Sequence, residues 1–255
     1  MRNRTWIAAL ALAGCALLAA GCKANDTASP TASGSAGASA TAKATRAADE
    51  VVAAAEKLRT TSFKFSATTA GVTVDGAADP VTKTATVEMA ASMRLLMVDG
   101  QMYLKFPPGM PGADALGGGD KWVHLDPSKV SPDKLGVQDP TDPTGGYHTL
   151  KTATSVQKVG DRHYKGTLDL TKAPATAANA KRLSLMGDSA KAVPFDVTLD
   201  NEGRLSTMDM TMKINGSEVT AHTTFSDFGT RVTATRPAPS EVVEAPDRLY
   251  GTLGA

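Results

Sequence analysis

Residues 193–228 read VPFDVTLDNEGRLSTMDMTMKINGSEVTAHTTFSDF, and the alternation inside this stretch decides the fold class. Val193, Phe195, Val197 and Leu199 are separated by Pro194, Asp196 and Thr198. Met208, Met210 and Met212 are separated in the same way by Asp209 and Thr211. A period of two belongs to a strand with one face in a core, because successive side chains point to opposite sides of the pleat. Asp200-Asn201-Glu202-Gly203 and Asn215-Gly216 interrupt the alternation with residues that reverse a chain. Asn-Gly suits a two-residue hairpin, since both central positions need positive φ. The stretch predicts three consecutive antiparallel strands, over 193–199, 204–214 and 218–228, with a further strand over 231–235.

The same signal recurs outward. Strands are expected over 154–159 and 162–170, around Phe63 and Phe65, around Val72 and Val74, and over 82–90, 93–98, 101–106 and 121–125. Asp99-Gly100 marks another tight hairpin. Helical spacing appears in Ala47, Val51, Val52, Ala55 and Leu58, which predicts an amphipathic helix over 46–59. A second helix is expected over 175–186, carrying Ala177, Ala180, Leu183 and Leu185. Residues 107–119 are a Pro- and Gly-rich loop, and 126–146, punctuated by Pro127, Pro132, Pro140 and Pro143, should hold short helical turns. Beyond Pro237 no pattern is evident, so 238–255 is expected as a tail. The sum is one α+β domain over 46–237, built on a large curved sheet in meander order.

The N-terminus assigns a location. Arg2 and Arg4 precede an uncharged stretch from Thr5 to Gly21 rich in Ala and Leu, the layout of a secretory signal over 1–21. Leu18-Ala19-Ala20-Gly21-Cys22 resembles the lipobox of bacterial lipoproteins, in which small residues precede a Cys that receives lipid. Leu12-Ala13-Gly14-Cys15 matches letter by letter but would leave an apolar mature N-terminus of Ala16-Leu17-Leu18, whereas Cys22 is followed by Lys23, Asn25 and Asp26. Cys22 is therefore the preferred lipidation site, with Cys15 as the alternative and an ordinary signal peptide as a second one. Residues 22–45, composed of Ala, Ser, Thr and Gly, read as a disordered tether that would hold the domain roughly 25–30 Å from the bilayer. The chain is expected on the extracytoplasmic face of the bacterial cell membrane, lipid-anchored.

Composition removes several function classes. Cys15 and Cys22 are the only cysteines, so the domain has no disulfide or thiolate metal site to draw on. The full chain has a net charge of +1, and removing Arg2 and Arg4 with the signal leaves −1. No basic stripe is visible, which disfavours nucleic acid, since phosphate binding needs clustered Lys and Arg. His124, His148, His163 and His222 have no metal-ligand spacing, and no nucleophile elbow or P-loop occurs. Neither catalysis nor a cofactor is expected.

Methionine carries the functional hint. Met93, Leu95 and Met97 share one strand face, Met102, Leu104 and Phe106 another, and Met208, Met210 and Met212 a third. Val or Ile would be the ordinary strand residues, whereas a flexible thioether suits a surface that adapts to varied apolar partners. The alternative is that these faces simply pack a core. Phe63, Phe65, Met93, Leu95, Met97, Met102, Leu104, Met208, Met210 and Met212 are the candidate lining of an apolar cavity.

Several ordered pieces resemble the LppX/LprAFG family of lipoproteins, which share a LolA/LolB-like fold. They are the lipobox and stalk, Thr61-Ser62-Phe63-Lys64-Phe65, Val98-Asp99-Gly100-Gln101-Met102-Tyr103-Leu104-Lys105, and Lys121-Trp122-Val123-His124-Leu125. The late hairpin with Gly203-Arg204-Leu205 and the closing Thr224-Phe225-Ser226-Asp227-Phe228-Gly229 complete the set. The resemblance implies a strongly curved antiparallel β half-barrel covered by α-helices, with an apolar cavity between sheet and helices. It implies binding of a lipid or lipoglycan with acyl chains, and its transfer within the cell envelope. The expected state is a monomer, with an envelope protein as a second kind of partner. An interaction or sensing module of the same fold without lipid cargo is the alternative function.

Overall fold

Alanine spacing begins the folded chain earlier than polarity suggests. In the computed structural model, which describes residues 35–89, 93–130, 141, 142, 144–174 and 177–253, the first helix, α1, spans Ser35–Glu56. The fold concerns the compact unit that begins at Ala36. Residues 35–45, expected as tether, are thus helical. Ala36, Ala38, Ala40, Ala42 and Ala44 favour this because alanine loses no side-chain entropy in a helix. The signal segment, Cys15, Cys22 and the expected tether as far as residue 34 lie outside the described residues. A buried stripe of Ala47, Val51, Ala54, Ala55 and Leu58 faces the core, and one 3₁₀ turn at Lys57–Arg59 ends the element.

Among the described residues, twelve strands form one sheet. They are β1 Phe63–Thr69, β2 Val72–Asp79, β3 Thr84–Met89, β4 Met93–Val98, β5 Gln101–Lys105 and β6 Trp122–Leu125, then β7 Ala153–Gly160, β8 His163–Leu168, β9 Val193–Leu199, β10 Leu205–Ile214, β11 Ser217–Ser226 and β12 Val242–Glu244. Their spatial order is β12-β6-β5-β4-β3-β2-β1-β11-β10-β9-β8-β7. Two meanders, β1 to β6 and β7 to β11, are therefore joined where β1 pairs with β11. All neighbours are antiparallel except β12 on β6. The result is an open, curved, mostly antiparallel sheet with few helices, of α+β class. Shorter helices α2 Gly146–Leu150, α3 Ala177–Met186 and α4 Asp247–Leu253 connect or end the strands.

The hairpin chemistry holds in detail. Asp99 and Gly100 take φ of 52° and 72°, and Asn215 and Gly216 take 50° and 80°, the left-handed pair a tight primed turn requires. In the four-residue turn, Gly203 takes φ of 68° and the Asp200 side chain accepts the backbone N–H of Glu202 and Arg204 at 2.9 Å each.

Three expectations are corrected. Residues 231–235 are not a strand. Both edges of β11 are already paired, by β10 and β1, so the chain instead crosses the outer face, where Ala234 packs on Leu96, Val98 and Tyr103. Residues 238–255 are not a featureless tail. β12 extends the sheet, and α4 buries Leu249 and Tyr250, whose hydroxyl accepts the Asp126 N–H at 2.9 Å. A three-residue strand is too short to show a period, so the sequence conceals it. In α3 it is Met186 that is buried, while Leu185, placed on the expected apolar set, is exposed. Within the expected helical turns of 126–146, residues 131–140 and 143 lie outside the described residues.

Candidate functional site

One face of the sheet, here called inner, carries the core. Pleating and register place Phe63, Phe65 and Ala67 of β1 beside Ala78, Gly76 and Val74 of β2. From there the row continues through Ala85 and Val87 of β3, Met97 and Leu95 of β4, and Met102 and Leu104 of β5. On the other side, Phe65 pairs with Phe225 and Ala67 with Thr223, which in turn faces Met208.

All ten candidates from the sequence share this face and belong to one apolar cluster. The structure divides them. Phe63, Leu95, Met97, Met102, Leu104, Met208 and Met212 are buried, whereas Phe65, Met93 and Met210 are half-buried and pack against the cluster from its margin. Phe63 sits in an aromatic group, with ring centroids 5.8 Å from Phe225, 6.0 Å from Phe228 and 6.3 Å from Phe65. The Arg204 guanidinium covers the Phe228 ring at 4.7 Å and closes that end.

The margin is where the inner face opens. Val74, Val87 and Met89 are half-buried there with Phe65 and Met93, and Val72 is 49% exposed. Small residues shape this part: Ala67, Gly76, Ala78 and Ala85 leave little side-chain volume above the backbone. The Phe65 ring lies directly on Gly76, where an added Cβ would come within 2.5 Å of it. Sequence reading missed Val74, Val87 and Met89 as members of this surface. Their signal was the pairing register, Ala67 with Val74 and Met89 with Met93, which alternation alone does not supply.

A hollow of about 830 Å³ lies between α1 and β7, lined by Lys43, Ala44, Arg46, Ala47, Glu50, Val156, Gln157 and Lys158. Glu50 joins the two elements. It accepts a hydrogen bond from the Tyr164 hydroxyl and pairs with Lys158 at 3.3 Å. The Tyr164 hydrogen bond, reinforced by Lys158, holds the Glu50 carboxyl below its ordinary range against an opposing effect of burial. Burial, with the Glu50 carboxylate, pushes the Tyr164 phenol up.

The outer face is polar at its centre. His163 and Lys165 reach Asp196 at 2.6 and 2.9 Å, and His222 reaches Asp209 at 2.6 Å. Burial alone would raise Asp196, but the bonds from Lys165 and His163 outweigh it and hold the carboxyl low. His124 lies between Glu244 at 2.9 Å and Gln101 at 2.7 Å. Among the described residues, no group of three His, Cys, Asp or Glu is placed to hold a metal ion. No described helix is long and apolar enough to cross a membrane.

No protein-family model matches the chain, and neither does any curated protein. Among solved structures it is similar to a DUF1329 family protein from Desulfovibrio piger ATCC 29098, at 11% identity and a TM-score of 0.24, over 76% of this chain and 95% of that one. A superposition that loose does not bear on function.

Proposed function

We propose that the chain is an exported lipoprotein, anchored through Cys22, that binds an acylated lipid or lipoglycan between the inner face of its curved sheet and its helices and carries it within the cell envelope. The observation that supports this reading is the half-open apolar margin of β1 to β4, where Phe65, Val74, Val87, Met89 and Met93 remain partly uncovered on an otherwise buried face. Desolvating an acyl chain there supplies the driving force, at about 0.8 kcal/mol per CH₂, or on the order of 10 kcal/mol for about 16 carbons before ordering costs. Adaptable methionines fit a cargo of variable chain shape. The resemblance to the LppX/LprAFG family points the same way.

The test is mass spectrometry of organic extracts from the purified full chain carrying Cys22→Ala, which lacks its own acyl group. Acylated lipid at near-stoichiometric yield is expected. An extract without lipid, from protein that melts cooperatively, would sink the reading. One observation favours the alternative, an envelope interaction module without cargo: seven of the ten candidate side chains are already buried in a packed cluster. That reading requires a single protein partner in a pull-down and a lipid-free extract.

A further inference from the structure

Three hollows run in sequence beside β7, the last strand on its side of the sheet. The groove of about 830 Å³ against α1 shares Ala44, Val156 and Gln157 with one of about 370 Å³. The latter shares Ala153 and Thr154 with a third of about 440 Å³ that reaches Lys151 and Lys172. The first of them, the trough between α1 and β7, has a small apolar lining of Ala44, Ala47 and Val156.

Its rim is cationic. Lys43, Arg46 and Lys158 line it, against Glu50, while Asp49 lines the second hollow and Lys151 and Lys172 the third. Lys158 is engaged by Glu50 at 3.3 Å and Lys172 by Asp169 at 3.2 Å, while the ammonium of Lys151 lies 5.4 Å from the Tyr147 ring centroid. Lys43 makes no salt bridge among the described residues, and Arg46 acts on the Glu50 carboxylate only at a distance; both are exposed on the same stretch of α1. This surplus stands out in a chain whose net charge is only +1. Beside Lys158, Val159 on the edge strand is 49% exposed, an apolar side chain next to a cation.

Chain length places this face. Ser35, where α1 starts, follows Cys22 by 13 positions. Lys43 and Arg46 follow Cys22 by 21 and 24 positions, and the helix advances about 1.5 Å per residue from Ser35 to Lys43. Among the described residues, Lys43 and Arg46 are the first cations after Cys22 in the chain. We propose that the trough between α1 and β7 is the face that rests on the bilayer, with Lys43 and Arg46 seated among anionic phospholipid headgroups. This rests on the reading of Cys22 as the anchor. It sets the orientation of the anchored domain, since the open margin of β1 to β4 belongs to the other meander. Each cation near an anionic membrane contributes about five-fold in affinity, and salt screens the attraction.

The experiment uses the chain from residue 22 onward with Cys22→Ala, so that association reports neither an acyl group nor the apolar stretch over 5–21. Vesicles of phosphatidylglycerol and phosphatidylcholine at 1:3, and of phosphatidylcholine alone, are floated with the protein at about 50 and 500 mM NaCl. Binding to the phosphatidylglycerol vesicles alone is expected, falling at least about five-fold at high salt. The double variant Lys43→Glu/Arg46→Glu should lose at least about ten-fold, and Lys121→Glu beside β6 should lose nothing. Thermal melts that match the parent confirm that both variants fold. Equal binding to both vesicles, or a double variant that binds like the parent, would overturn the proposal. So would displacement by inorganic phosphate beyond that by chloride of equal ionic strength, which would mark a site for a free anion. Palmitate labelling of the wild-type chain is read separately, and its absence from Cys22 would remove the anchor whatever the vesicles bind.

Discussion

β9 and β2 follow the same rule and meet different fates. In β9 the inner positions Val193, Phe195, Val197 and Leu199 are all buried, with Phe195 at 3% exposure and Val197 at 0%. In β2 the inner positions are Val72, Val74, Gly76 and Ala78, and burial declines along the strand from Ala78 at 0% to Val72 at 49%. The difference lies above the sheet. α1 is tied to the β7–β11 meander through Glu50 on Tyr164 and through the Lys57 ammonium, which donates to the Glu202 carbonyl in the β9–β10 turn. Among the described residues, no hydrogen bond or ion pair joins a helix to β2 or β3. Alternation selects the side chains that point inward. Whether anything covers them is settled by elements distant in the chain.

The sharpest way to break the comparison is to truncate one inner side chain in each strand. Phe195→Ala should cost about 3–5 kcal/mol in urea unfolding, and Val74→Ala less than about 1, because a cavity term arises only where the surroundings are closed. Equal losses would show that the two regions are packed alike. Glycine offers a second contrast. At Gly166 an added Cβ would stand 1.8 Å from the Ser155 carbonyl oxygen, a backbone atom held by the β7–β8 ladder. At Gly76 it would meet the Phe65 ring at 2.5 Å and the Thr86 carbonyl at 2.7 Å. Gly166→Ala should therefore cost about 3 kcal/mol and Gly76→Ala about 2, since at Gly76 the ring can move and the backbone contact is 2.7 Å rather than 1.8 Å. A larger loss at Gly76 would place the rigid region in the wrong meander.

A charge at the margin separates stability from cargo. Val74→Glu should shift the urea midpoint by less than about 1 kcal/mol, because the carboxylate can reach water, yet lower the lipid recovered from the chain several-fold. Unchanged lipid recovery would move any cargo away from β2. The smallest effect is electrostatic and concerns the covered half. Glu50 is depressed on folding, so its contribution is present above its unfolded value near 4.3 and is lost as pH falls through its lower folded value. Because its side chain is 37% exposed, the contribution should stay under about 1 kcal/mol. Urea midpoints between pH 5 and 3 should fall more steeply for the parent than for Glu50→Gln. Parallel slopes would show that the tie of α1 to β8 does not depend on the carboxylate.

Much of this architecture is legible without coordinates, because it depends on neighbours in the chain. The bounds of β9 follow from alternation, and the turns at Asp99-Gly100 and Asn215-Gly216 follow from the residues that accept positive φ. Alternation also puts the candidate residues of each strand on one face, and the pairing registers then join those faces on the inner side of the sheet. What it could not convey was that β12 returns to lie parallel on β6, that 231–235 crosses the sheet because β11 has no free edge, or that Phe65, Met93 and Met210 stand at the margin while Met102 and Met212 are sealed. These are matters of which distant segments meet. Backbone geometry and side-chain direction are fixed within a few residues, so the chain encodes them locally. Pairing partners and depth of burial arise only when segments far apart compete for the same surface, and that competition is resolved in the folded molecule.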